Sequence, residues 1–244
     1  YPPGAQLLFS ATSVMAGMSP LGWKLVWLAL IVLLAIAATS MLSRDERFLG
    51  LIVISSPLFM VHALADIHLD VLVGLLLLLS FLLARRQSAT MAGIVMGLGI
   101  SLKYAPVLAL PFMWFALEGG KRPRYYAAVV LTVILAYLPY IGQDVLGNTR
   151  MFAERWAANA LFYSAILPVV EQPGTARMIL LLCMIAAFVA VWIRMRTQPG
   201  PAIALSVVGV LMFSPVVHAW YLLPALLMLP VAPMRSIIVW SATS

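Results

Sequence analysis

The 244-residue chain is 64% hydrophobic and 9% charged, with a mean hydropathy of +1.06 and a net charge of +7. A soluble core of this size needs far more polar cover, so these values exclude a soluble globular domain and indicate an integral membrane protein. The Lys and Arg residues sit in short clusters between apolar runs, as topological determinants do, which argues against nucleic acid as a partner. The single Cys183 lies mid-span and excludes an intrachain disulfide.

Tyr1-Pro2-Pro3-Gly4 reads as an extended entry, because proline fixes φ and biases the preceding residue away from helix. Residues 5–17 form a helix too short to span. Full spans are expected near 20–42, 48–64 and 69–84, the last almost pure Leu and Val and stopped by Arg85-Arg86. Residues 88–117 are either one long kinked helix or two halves broken at Ser101-Leu102-Lys103-Tyr104-Ala105-Pro106. Each half is about 20 Å long against a hydrocarbon core of ~30 Å, so a re-entrant or broken pair is physically reasonable. Further spans follow near 125–141, 177–193 and 201–217, with a long external segment at 142–176. A turn at Ser214 to Tyr221 then leads into a last span that returns to Arg235.

Charge counting decides between the two readings of 88–117. If the segment returns to the side it left, one face carries Arg44, Arg47, Arg85, Arg86, Lys121, Arg122, Arg124, Arg194, Arg196 and Arg235, ten of the fifteen basic residues. If it crosses once, the two sides hold seven and six. The positive-inside rule prefers the hairpin. The chain begins at Tyr1 with no basic n-region, and an apolar run at 236–241 follows Arg235. The expectation is a single transmembrane domain over 1–244, a fragment lacking N-terminal spans and a first external loop, with its last span cut short.

With this topology all three histidines and five of the eight acids (Asp66, Asp70, Asp144, Glu154 and Glu171) fall on the face opposite the basic clusters. Ionisable groups gathered at a membrane surface in so apolar a chain mark a functional site. The densest stretch is His62-Ala63-Leu64-Ala65-Asp66-Ile67-His68-Leu69-Asp70. If the backbone stays helical, His62, Asp66 and Asp70 share a face and His68 points away. If a helix starts near Asp66, that residue is an N-cap and Asp70 a first-turn acid. His62 and Asp66 are the acid–base candidates, and His68 with Asp70 are candidate ligands for a divalent cation. No other cofactor is indicated.

Lys103, beside Tyr104 within the break, is a candidate cation for a lipid phosphate, as are Arg150 and Arg155 in the external segment. Trp156 and Asn159 supply the aromatic platform and hydrogen-bonding groups that a sugar needs. Tyr1, His218 and Tyr221 complete the expected pocket. Tools on an outer face with plain hydrocarbon spans suit an interfacial enzyme better than a conducting pathway.

These segments resemble a known family. Tyr1-Pro2-Pro3-Gly4-Ala5-Gln6-Leu7-Leu8-Phe9, His62 to Asp70, Ala92 to Pro106 with its glycines, lysine and proline, Phe152 to Asn159, and Ser214 to Tyr221 together are similar to bacterial GT-C glycosyltransferases related to polyprenol-phosphate-mannose-dependent mannosyltransferases. The resemblance covers most of the chain. It implies a GT-C-like, all-α polytopic bundle in the bacterial inner membrane. The implied reaction is transfer of a sugar, mannose first, from a polyprenyl-phosphate-sugar donor to a lipid or glycan acceptor on the extracytoplasmic face, with membrane lipids around it and no nucleotide sugar. Members of that family carry a key acid in a first external loop upstream of the Tyr-Pro-Pro segment, which makes Asp66 a second candidate for the base. The rival from another class is a transporter or flippase of a lipid-linked substrate, suggested by the broken segment at Lys103.

Overall fold

The computed structural model describes residues 1–234, and over them the protein is all-α, built of short and long helices around one apolar core. Arg235 and the apolar run that follows it, expected to open a truncated span, lie outside the described residues.

The centre of the bundle is α5 (Leu69–Arg85), fifteen of whose seventeen residues are buried. Its Leu and Val run faces other helices on all sides. Around it pack α2 (Pro20–Thr39), α6 (Ala89–Leu102), α7 (Leu110–Ala116) and α13 (Leu223–Leu227). Outside these lie α1 (Pro3–Ala16), α3 (Arg44–Ile54), α8 (Arg122–Tyr137), α9 (Gly147–Arg155), α10 (Leu161–Val170), α11 (Pro173–Met195) and α12 (Pro199–Phe213). Helices α2 and α11 are long and apolar enough to cross a membrane and expose most of their apolar surface, the signature of lipid-facing spans. α3 with its continuation to Ala65 makes a third, bent by 65°. The bend falls at Ser55-Ser56-Pro57, where Ser56 caps the new segment by accepting from the Phe59 N–H at 3.3 Å.

The expected uninterrupted span over 48–64 is therefore broken. Those expected at 69–84, 125–141 and 201–217 are helices of 17, 16 and 15 residues. Such lengths correspond to only about 22–26 Å. The expected long external segment at 142–176 contains α9 and α10.

Residues 88–117 form the hairpin that charge counting preferred. Helix α6 runs beside α5 and ends where Lys103 goes extended, at φ −158° and ψ 144°. A 3₁₀ turn (Ala105–Ala109) then starts the return through α7. The return is closed by Gln87, whose side-chain NH₂ donates to the Ala116 carbonyl at 3.2 Å and whose side-chain oxygen accepts from the Glu118 N–H at 3.1 Å. Both ends of the segment thus meet beside Arg86. Arg196 lies over the Phe115 ring at 5.9 Å, and Arg85 pairs with Glu46, so the basic clusters collect at one end of the bundle.

Because α7 returns before α8 starts, α6 and α8 run parallel. Gly93 and Gly97, four apart, form their contact. A Cβ on Gly93 would strike the Tyr125 carbonyl, and one on Gly97 would come within 2.6 Å of the Thr132 Cβ. Small residues at this spacing let two backbones approach where lipid offers no hydrophobic drive for association.

Candidate functional site

The end of the bundle opposite the basic clusters is organised by an irregular turn. After α4 (Pro57–Phe59), residues Met60–Ala65 wind as a π-helix, which the Asp66 N–H closes by donating to the Val61 carbonyl at 3.0 Å. Lys24 on α2 donates its ammonium to the Ala65 carbonyl at 2.9 Å and holds this end of the turn. Ile67 then adopts φ +55°. For a β-branched residue this left-handed conformation is strained, and such strain persists only where the surroundings enforce it. The reversal brings the His68 N–H back to the His62 carbonyl at 2.8 Å and directs the His68 ring toward His62, with ring centroids 5.1 Å apart.

Two sequence expectations change here. Asp66 is not a helix N-cap, since that position belongs to His68 and is made without a side-chain cap bond. His68 does not point elsewhere, because the reversal at Ile67 returns it to Asp66. His62 Nδ1 lies 3.1 Å from Asp66 Oδ2, and His68 Nε2 lies 3.9 Å from the same oxygen. Asp70, in the first turn of α5, is 4% exposed and meets Lys103 instead, Oδ1 accepting from Nζ at 2.6 Å. Asp70 is thus engaged by Lys103, and the donor atoms that converge are those of His62, Asp66 and His68, within 4.8 Å of one another.

Lys103 is the last residue before the hairpin break, and the break is what lets it reach across to α5. Its ammonium also stands 4.0 Å from the centroid of the Tyr221 ring. Of its three N–H donors one is committed to Asp70, so it binds any anion as half of a neutral pair. Tyr104 accepts a hydrogen bond from the Tyr137 hydroxyl at 3.2 Å.

The turn after α12 supplies the other wall. Trp220 is stacked between His68, at 4.1 Å and 11° between planes, and His218, at 4.4 Å and 6°. His62 meets the same indole edge-on at 5.5 Å. All three histidines thus surround one tryptophan. Burial and the neighbouring His62 hold the His68 imidazole below its ordinary pKa, against the opposing pull of Asp70 and Asp66. Tyr1 reaches the same end of the bundle, because Gly4 packs directly against Ser101, two residues before Lys103.

The expected residues of α9 and its following loop stand apart. Arg150, Arg155, Trp156 and Asn159 are exposed, and among the described residues the two arginines make no ion pair. Trp156 stacks on Phe152 rather than over the histidines. Only the backbone of this loop joins the site: Ala158 donates to the Pro215 carbonyl at 3.1 Å and accepts from the Val217 N–H at 2.8 Å. Sequence reasoning missed Trp220, Lys24 and Arg177. Arg177 donates to the carbonyls of Ala153 and Trp156 at 2.7 and 2.8 Å, holding the end of α9. An isolated lysine inside an apolar helix was a signal for Lys24, and Trp220 lay within the His218 to Tyr221 turn itself.

Below the cluster an apolar groove of about 990 Å³ lies between α1, α2, α5, α6 and α8. Its walls include Leu30, Leu34, Leu98, Leu131 and Leu135. It runs from Arg124 and Thr90 near the basic end to Gly4 and Ser101 beside Lys103.

The family model for glycosyltransferase family 87 matches residues 1–230. No curated protein and no solved structure matches the chain.

Proposed function

Because the chain belongs to glycosyltransferase family 87, we propose that it transfers a sugar, mannose first, from a polyprenyl-phosphate donor to a lipid-linked or glycan acceptor on the extracytoplasmic face of a bacterial inner membrane. The observation that carries this reading is that the His62–Asp66 pair and the Gly4–Ser101 end of a long apolar groove lie at the same end of the bundle. A donor with an isoprenoid tail and a phosphosugar head needs both, adjacent and in that order. The positive-inside rule supports placing the basic clusters in the cytoplasm and the histidines outside.

In this reading Asp66, oriented by His62, takes the proton of the acceptor hydroxyl. The hydroxyl oxygen bonds to the sugar's anomeric carbon while that carbon's bond to the phosphate oxygen breaks, and polyprenyl phosphate leaves. Lys103 offers its uncommitted N–H groups to the phosphate, with Tyr104 and Tyr221 beside it. Trp220 and His218 form the aromatic face against which the sugar packs, and Tyr1 closes the entry. Arg150, Arg155, Trp156 and Asn159 receive the acceptor from the loop side.

The test is transfer of labelled mannose from polyprenyl-phosphate-mannose in membranes containing the protein. Asp66→Asn keeps the shape of the His62 contact and removes the base, so turnover falls by roughly 10²- to 10⁴-fold. Unchanged turnover in Asp66→Asn and His62→Ala removes both residues from the site.

A further inference from the structure

We infer that His62, Asp66 and His68 form a binding site for a divalent first-row transition ion, Zn²⁺ first. One donor atom from each residue lies within 4.8 Å of the others. A tetrahedral zinc site, with metal–ligand bonds of about 2.0–2.1 Å, sets its donors about 3.3–3.5 Å apart. The two spacings about Asp66 Oδ2, 3.1 and 3.9 Å, bracket that value, and the third, between the two imidazole nitrogens, lies within 4.8 Å and closes on the ion by side-chain rotation.

The surroundings hold these donors in place. His68 is fixed by its backbone bond to the His62 carbonyl and by the stack on Trp220, and His62 meets the edge of the same indole. The competing cations are committed elsewhere, Lys24 to the Ala65 carbonyl and Lys103 to Asp70. Two imidazoles and one carboxylate are a borderline donor set. They favour Zn²⁺, Co²⁺ or Ni²⁺ over Mg²⁺ and Ca²⁺, which prefer oxygen shells. Three protein donors leave a coordination position for an oxygen ligand. Asp66, with its side chain half exposed, offers one oxygen to the ion and leaves the other as the proton acceptor of the proposed transfer. The metal site stands on geometry alone, and its use in holding an oxygen of the substrate rests on the proposed glycosyl transfer.

The experiment uses the full chain in detergent, stripped with chelator and titrated with Co²⁺. Its visible absorption and the paramagnetic quenching of Trp220 fluorescence report occupancy without any assay of activity, and Trp220→Phe identifies the quenched residue. One equivalent is expected, displaced by Zn²⁺, with the dissociation constant raised on the order of 100-fold or more in His62→Ala and in His68→Ala. Asp70→Asn retains one equivalent. Asp66→Asn, which preserves volume, weakens binding and guards against loss through misfolding, which circular dichroism checks. Absence of stoichiometric Co²⁺ binding, or binding that survives both histidine substitutions, overturns the site and leaves His62 and Asp66 as a hydrogen-bonded acid–base pair. Sugar transfer that persists in the stripped protein overturns the ion's role while leaving glycosyl transfer intact.

Discussion

Replacing Lys103 with methionine removes the ammonium that neutralises Asp70 and leaves a carboxylate 4% exposed at the start of the most buried helix of the bundle. Breaking a buried pair by deleting one partner costs about 3–5 kcal/mol, because the remaining charge is neither paired nor hydrated. The Lys103 side chain is 25% exposed, so water reaches part of the pair, and about 2–4 kcal/mol is the better expectation. For a chain of this size that corresponds to a melting temperature lower by roughly 5–15 °C, read by tryptophan fluorescence in detergent. Asp70→Asn alone strands the ammonium, which is long enough to reach the headgroups, and costs less. The double variant, Lys103→Met with Asp70→Asn, removes both charges and recovers most of the loss of the lysine variant. A double-mutant cycle isolates the pair term. Its functional arm separates two roles: if Lys103 also touches the donor phosphate, the double variant regains stability while sugar transfer stays low. A Lys103→Met protein as stable as the parent, or a double variant no better than the single, refutes the argument.

At the α6–α8 contact, Gly93→Leu has no room, since even a Cβ meets the Tyr125 carbonyl and the Ala128 Cβ. Overpacking of this kind costs about 1–3 kcal/mol or more, and the melting temperature falls while Gly119→Ala, in open space, leaves it unchanged. Acidification acts through His68, whose pKa is depressed in the folded protein by burial and by His62. The unfolded chain therefore binds more protons, so stability is full above about pH 6.5 and falls as pH drops through the lowered folded value. Melting temperatures at pH 5 and 7.5 differ in the parent, and the difference shrinks in His68→Gln. Equal differences in both proteins exclude His68 as the source.

Much of the architecture is written in long-range features that a one-dimensional pattern can carry. The apolar runs, the break at Lys103 and the distribution of arginines led to the hairpin that Gln87 closes. The polar cluster at 62–70 and the His218 turn were both readable as parts of one surface, because topology alone put them on one side. What decided their chemistry was not readable. A helix-period argument separates His68 from His62 and Asp66, and only the left-handed Ile67, a conformation that β-branched residues avoid, brings it back. The Lys103–Asp70 pair joins residues 33 apart across a helix break, and Trp220 lies more than 150 residues from the two histidines it organises. Arg150 and Arg155 stand apart from the histidines for the opposite reason: a charged residue on a loop satisfies its needs in water, and nothing in its type ties it to the cluster.

The placement of Lys103 changes the electrostatic problem that the site has to solve. Two acids, Asp66 and Asp70, share this end of the bundle with two lysines, Lys24 and Lys103, so the lysines leave little net positive charge for an arriving phosphate. At 4 Å two unit charges interact by only about 1 kcal/mol in water but by about 4 kcal/mol at the effective dielectric of a protein surface. In the proposed transfer a leaving phosphate therefore gains far more from one additional local cation than from the remote positive charge at the other end of the bundle. In the proposed site, a divalent ion on His62, Asp66 and His68 would supply such a cation. The neutralised lysine and the three converging donors then divide the work in the proposed enzyme: Lys103 keeps Asp70 stable at the start of α5, and the turn at His62 to His68 would hold the added charge.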